Sequence, residues 1–334
     1  VNLGFLGAGN HARHHMREFS RLPQARLTSV YDVVLSRAET AARDFPPLRA
    51  APSVETLLHH SDVEGVVIAT PAETHSDLVE AALAAGKHVL LEKPMAHTPE
   101  EADRIAAAAE QRPDQQVLVG HCERFNRAYI DVRKAIDDGH IGTPRFASAT
   151  RLSPLHLNDP AWSLGTLDTA VHDIDILLSL FASSPVAVSA QGTTVNADLP
   201  IPDNVIYQIL FADGALAQGH IGWLPFSGGY PLSGNAHPRL FVAGTGGNVQ
   251  LDLWQRPVAV HTYRSGAYFW PDDVLVGYGD YFTEVTAQDF AFVSMIESGG
   301  TPPITPREAA MAVRVAHAAH ESLTHRGGAQ VVLT

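Results

Sequence analysis

At 334 residues the chain is long for a single core, and two domains are expected. Its net charge of −13 excludes a general nucleic-acid or anionic-membrane surface, since both need clustered Lys and Arg. Hydrophobic residues make up 45% of it, as in ordinary globular proteins, and no apolar run is long enough to span a bilayer.

The chain opens directly on an apolar strand, LGFLG, so no signal peptide is expected. Its single cysteine, Cys122, excludes an internal disulfide and fits a reducing, cytoplasmic setting. The 18 histidines are scattered, with no HExxH or CxxC spacing, so no metal site is expected.

Residues 1–120 alternate apolar strand runs with helical patterns. Strands are expected near 2–7, 26–31, 65–69, 87–91 and 116–120, and helices near 10–20, 36–44, 53–60, 74–85 and 98–110. Strands separated by helices imply βαβ units, hence a parallel sheet covered on both faces. Thr98-Pro99-Glu100-Glu101 reads as a capping box at a helix start.

The first strand runs into Gly7-Ala8-Gly9-Asn10-His11-Ala12, a G-x-G-x-x-A pattern that opens a helix. Gly7 allows the tight turn, Gly9 lets backbone approach a pyrophosphate, and Ala12 lets helix and strand pack closely. The phosphates would sit on the helix N-terminus. The second strand ends in Tyr31-Asp32, where Asp32 could accept both adenosine ribose hydroxyls and repel a 2′-phosphate. NAD is therefore expected in preference to NADP. The alternative is that Asp32 only caps the next helix.

Ligands of open parallel sheets bind beyond the carboxyl ends of the strands. Two such ends carry chemistry here: Ala69-Thr70-Pro71, and Glu92-Lys93-Pro94. Only three lysines occur in the chain, and Pro94 restricts the backbone of Lys93 and so its aim. The bland alternative is a lysine reaching to the surface.

After about residue 120 the rhythm changes. Helices are expected over 124–137 and 166–180, and strands over 144–152, 186–195, 203–211, 215–222, 238–243, 247–252 and 257–263. FADGAL at 211–216 is a hairpin signal, and helices near 284–297 and 305–323 close the chain. This half reads as an α+β domain with a large, open, mostly antiparallel sheet. The boundaries expected are 1–122 and 123–334. Within the 166–180 helix, Asp168, His172 and Asp175 share one face beside an apolar stripe of Leu167, Val171, Ile174 and Leu178. Spacing alone fits a solvated acidic edge, or an acid/base pair in which Asp168 orients His172.

Taken together, these motifs resemble the Gfo/Idh/MocA oxidoreductases, which include glucose–fructose oxidoreductase and inositol dehydrogenase. The resemblance runs the whole length: GAGNHA at 7–12, ATPAETH at 69–75, AGKHVLLEKPMA at 85–96, LDTAVHDIDIL at 167–177, and the closing pattern with Phe290, Ile296 and Pro303. It implies a Rossmann domain followed by a sheet domain that builds a homodimer or homotetramer. It places the catalytic lysine on Lys93, and puts Asp168 and His172 in the active site. It also implies that Gly7, Gly9, Asn10, His11, Asp32, Thr70, Pro71, His75, Glu92 and Lys93 contact the cofactor. The substrate implied is a sugar, a cyclic polyol or a nucleotide-linked sugar, in a pocket expected between the domains. Arg124, Asn126, His156, Trp162 and Tyr281 are candidate walls. Two positions depart from the pattern. Ala72 stands where many relatives have Asn, and Arg127 where the GHCERFN-like subset often has Pro. Two rivals remain: an aldehyde dehydrogenase with Cys122 as nucleophile, and a non-enzymatic dinucleotide sensor on the same fold.

Overall fold

The computed structural model describes residues 1–154, 164–224, 237–252, 258–262, 268–269, 283–325 and 327–333. They divide into two compact units, Val1–Phe125 with Gly279–Val313, and Asn126–Tyr278 with Arg314–Thr334. The sequence-based boundary at 122/123 differs, because it assigns everything after it to one continuous second domain. Here α8 (Glu284–Ser298) returns to the first unit. Its Phe292, Val293 and Met295 are buried in that unit's core with Leu3, Phe5 and Val67, burial that no local signal announces.

The first unit is built on β1 (Asn2–Leu6), β2 (Arg26–Tyr31), β3 (Arg49–Ala50), β4 (Gly65–Ile68), β5 (His88–Leu91) and β6 (Val117–Val119). All pairings are parallel and the order is β3-β2-β1-β4-β5-β6. The connections carry α1 (Asn10–Phe19), α2 (Leu35–Asp44), α3 (Val54–Leu58), α4 (His75–Ala84) and α5 (Pro99–Glu110). Central strands read as unbroken apolar runs, Val66-Val67-Ile68 and Val89-Leu90-Leu91, because both faces are covered. The strand order reverses between β1 and β4, which opens a crevice at their carboxyl ends. The Thr98 capping box is present: its hydroxyl accepts the Glu101 N–H, and Glu101 accepts the Thr98 N–H.

The second unit holds a nine-stranded sheet in the order β14-β13-β12-β11-β7-β10-β9-β8-β15. These strands are β7 (Pro144–Pro154), β8 (Pro185–Thr193), β9 (Asn204–Phe211), β10 (Leu216–Leu224), β11 (His237–Gly244), β12 (Gly247–Asp252), β13 (Val258–Thr262), β14 (Tyr268–Phe269) and β15 (Val331–Val332). Only β7 and β10 run parallel; the other pairings are antiparallel. Along β9, Val205, Tyr207, Ile209 and Phe211 face the core while Ile206 is exposed, the alternation of a sheet covered on one side. Helices α6 (Arg127–Asp137) and α7 (Leu167–Ser179) pack on this sheet, and α9 (Pro306–His325) closes the chain. The β9–β10 hairpin turns at Asp213-Gly214, with Gly214 at φ +80° and the Asp213 carboxylate accepting the Ala215 N–H.

Candidate active site

The glycine loop closes between β1 and α1. Gly7 sits at φ +100°, and a Cβ there would lie 2.5 Å from the Ala69 carbonyl oxygen, so only glycine fits. Its N–H donates to Tyr31 O at 2.8 Å. Gly9 differs: its φ is −73°, and a Cβ would meet nothing within 4 Å. Gly9 is the N-cap of α1, so no side chain caps this helix, and no acid lies in its first turn. The leading N–H groups and the positive end of the dipole are left for an anion. Ala12 is fully buried at the helix–strand contact.

Asp32 is tied to this loop. One carboxylate oxygen accepts the Ala8 N–H at 2.8 Å, and the other accepts the Val34 N–H at 2.8 Å. The N-cap of α2 is Val34, so Asp32 does not cap the next helix. Each oxygen keeps a lone pair for a hydroxyl donor. The following Val33, Val34 and Leu35 are exposed and offer no cation to a 2′-phosphate.

At the ends of β4 and β5, the buried His75 acts as a clamp. Its Nε2 lies 2.9 Å from Thr70 O, and its Nδ1 lies 3.1 and 3.2 Å from Pro94 O and Met95 O. Thr70 Oγ1 meets Thr74 Oγ1 at 2.7 Å, while Pro71 is exposed at the rim. Lys93, half-buried, is followed by a cis peptide bond to Pro94. Glu92 folds back so that its Oε2 accepts the Lys93 N–H at 3.0 Å. His11, in the first turn of α1, lies within electrostatic reach of Glu92 and Lys93; burial lowers its pKa.

Behind Glu92 lie two residues that sequence reasoning missed. His15 Nε2 is 2.9 Å from Glu92 Oε1, and His15 Nδ1 is 2.8 Å from Asp289 Oδ1. These partners are 77 and 274 positions away, so spacing carried no signal for them.

In the second unit, α7 presents Asp168 and His172 half-buried on one face. Asp168 Oδ2 accepts the Leu164 N–H at 2.8 Å, which fixes the carboxylate against the turn that opens the helix. Leu167, Val171 and Ile174 are buried as the stripe requires. The solvated-edge alternative fails at Asp175, which is only 1% exposed. The neighbouring Asp173 forms a buried bidentate pair with Arg151 at 2.8 and 3.1 Å.

Residues 1–121 match the oxidoreductase family with an NAD-binding Rossmann fold, and residues 129–250 match the GFO/IDH/MocA C-terminal domain. The inositol 2-dehydrogenase of Acidothermus cellulolyticus is 30% identical over 275 residues, covering 78% of this chain and 79% of that one. The UDP-N-acetylglucosamine 3-dehydrogenase of Acidithiobacillus ferrooxidans is 34% identical over 198 residues, 59% of this chain and 60% of that one. Among solved structures, scyllo-inositol dehydrogenase of Lactobacillus casei, with bound NAD(H) and scyllo-inositol, superposes with a TM-score of 0.80 at 22% identity. That match covers 99% of this chain and 98% of the other. The chain belongs to the GFO/IDH/MocA family. It is an oxidoreductase whose first domain is of the NAD-binding Rossmann type.

The geometry of this GFO/IDH/MocA protein fits the dinucleotide. The uncapped α1, the open space over Gly9 and the tethered Asp32 supply a pyrophosphate seat and a ribose acceptor on one crevice edge. Cys122 does not fit a nucleophile. Burial raises its thiol pKa well above the usual value, and Glu123, Glu284 and Glu92 raise it further, whereas a reactive cysteine needs the opposite setting. Of the candidate substrate walls, Arg124 pairs with Glu308 at 3.4 Å. Asn126 caps α6 by accepting the Ala128 N–H at 3.0 Å. His156, Trp162 and Tyr281 lie outside the described residues. Among the described residues, no cluster of three or more His, Cys, Asp or Glu could hold a metal ion. No described helix is long and apolar enough to cross a membrane.

Proposed function

We propose that this protein oxidises, or in reverse forms, a secondary alcohol on a cyclic polyol or sugar ring, with NAD as its partner. The carrying observation is Lys93. It is held ahead of Pro94 at the carboxyl end of β5, and the first turn of α1 lies within reach of its charge. When bound, NAD⁺ supplies the hydride acceptor for the CH–OH carbon. His172 takes the hydroxyl proton as that carbon becomes a carbonyl. Lys93 donates a hydrogen bond to the same oxygen and stabilises the negative charge that develops on it. Asp168, one helical turn before His172, holds a neighbouring hydroxyl and orients the imidazole. Asn10, Thr70, Pro71 and His75 frame the dinucleotide with the glycine loop, and Glu73 takes the position beside Ala72 that many relatives fill with Asn.

The named relatives act on inositol and on UDP-N-acetylglucosamine. A free ring is favoured over a nucleotide-linked one because Arg124 and Asn126, which carried the nucleotide-sugar hint, are engaged with Glu308 and the α6 cap. A reducing cytoplasm suits the single thiol, and a homodimer or homotetramer would cover the face of the nine-stranded sheet that exposes Ile206.

The test is a parallel fluorescence titration with NADH and NADPH, followed by turnover assays with NAD⁺ and inositols, aldoses and UDP-sugars. NADH is expected to bind at least about tenfold more tightly than NADPH. Lys93→Met is expected to keep NADH affinity while turnover falls about a hundredfold or more. Near-normal turnover in that variant defeats the assignment. Tight NADH binding with no turnover on any ring alcohol returns the sensor reading.

A further inference from the structure

Three ionisable side chains form one continuous buried row behind the end of β5. His15 comes from α1, Glu92 from the end of β5 and Asp289 from α8, and their side chains are 2%, 14% and 0% exposed. Both ring nitrogens of His15 face carboxylate oxygens, at 2.9 Å to Glu92 and at 2.8 and 3.0 Å to Asp289. A neutral imidazole has one N–H and would set its other lone pair against an oxygen lone pair. Only the imidazolium donates to both. The remaining charged or titratable groups facing the row are His11, His14 and Glu18 on α1, and Lys93 beside Glu92.

Such a row is a poor device for stability alone, because well-packed apolar residues often serve as well. Its far end indicates another job. Glu92 spends one oxygen on His15 and the other on the backbone N–H of Lys93. We propose that Asp289 and His15 are positioning residues, which lock the Glu92 carboxylate in one rotamer and so fix the backbone from which Lys93 projects. This rests on the reading of Lys93 as the catalytic group.

The electrostatics agree with the geometry. Burial alone would raise the Glu92 carboxyl, but the hydrogen bond and charge of His15 hold it at about 2. Burial alone would lower His15, but the charge and hydrogen bond of Asp289, joined by Glu92, raise it to about 10. Burial lifts Asp289 to about 6, against the opposing charge of His15. Asp289 is thus the member whose charge is least secure near neutral pH.

The experiment uses the full chain and the fact that it has only three lysines. Ring-nitrogen NMR at about pH 8 is expected to show His15 as imidazolium in the wild type. In Asp289→Asn the His15 midpoint is expected to fall by about one pH unit or more. The ¹³Cε resonance of Lys93, assigned by its loss in Lys93→Met, is expected to shift, while those of Lys87 and Lys134 stay. A neutral His15 in the wild type overturns the proposal. So does a Lys93 resonance that ignores Asp289→Asn once the His15 midpoint has fallen. If Asp289→Asn does not fold, Glu92→Gln, which keeps the side-chain shape, is read by the same Lys93 resonance. Turnover of myo-inositol with NAD⁺ separates the two readings. A dead Lys93→Met with an unresponsive Lys93 resonance overturns the relay alone. An active Lys93→Met overturns the catalytic reading on which the relay depends.

Discussion

Gly7 and Gly9 look alike in the sequence, yet the structure separates them. Alanine at 7 meets a left-handed dihedral and the Ala69 carbonyl at 2.5 Å. Gly7→Ala is expected to destabilise the fold by about 1–3 kcal/mol from strain alone, read from urea unfolding. Alanine at 9 meets only open space at an ordinary φ of −73°. Gly9→Ala is expected to leave stability within about 1 kcal/mol, or raise it, yet to weaken NADH at least about tenfold, because its methyl stands where the pyrophosphate must approach. His15 carries a prediction in pH. Its pKa is raised to about 10, so its stabilisation is complete below 6.5 and is lost as pH rises through 10. Asp289, raised to about 6, contributes in the same sense, with its share complete below 3.8 and lost as pH rises through 6. Glu92, depressed to about 2, runs the other way: its share is present above 4.5 and lost as pH falls toward 2. Urea unfolding across pH is expected to show an alkaline loss of several kcal/mol, on the order of 2–5, that disappears in His15→Gln. Gly7, Gly9 and Lys93 were legible because their chemistry is written in adjacent residues. His15 was not, since its carboxylates come from β5 and α8.

Helix starts divide into two kinds. Helices α3, α5, α6 and α8 are capped by their own side chains, whereas α1 is not. Thr98→Ala at α5 is therefore expected to cost about 1 kcal/mol in urea unfolding while NADH affinity stays the same. The boxes at Thr98 and at Thr305–Glu308 could be read directly, since each lies within four residues. The Thr283 box escaped notice because its third position is Thr286 rather than an acid. On α7 the apolar stripe was legible from its period, but the Arg151 pair that holds Asp173 was not. Nor was the parallel pairing of β7 with β10, whose partners lie about seventy residues apart in register.

At the scale of the molecule, α8 is the informative element. Its Phe292, fully buried in the first unit, is expected to cost about 3–5 kcal/mol on truncation to alanine, with loss of NADH binding at a lower urea concentration than in the wild type. A fragment ending at residue 125 lacks Phe292, Val293 and the Asp289 partner of His15. It is expected to lack a cooperative urea transition, although it contains all six strands of the parallel sheet. The pattern of strands and helices over 1–120 does not reveal this, because those residues read as a complete Rossmann unit.

By itself, the sequence determined the parallel sheet, the dinucleotide loop, the lysine before its proline and the class of reaction. Each depends on residue types held at short, rigid spacings, where backbone geometry leaves few alternatives. Tertiary structure alone decided which segment completes the first core, which of Asp168, Asp173 and Asp175 is sealed from water, and what stands behind Glu92. Those are matters of burial and of charges brought together across hundreds of residues. A carboxylate acquires its partner, its protonation and its role only from what packs against it.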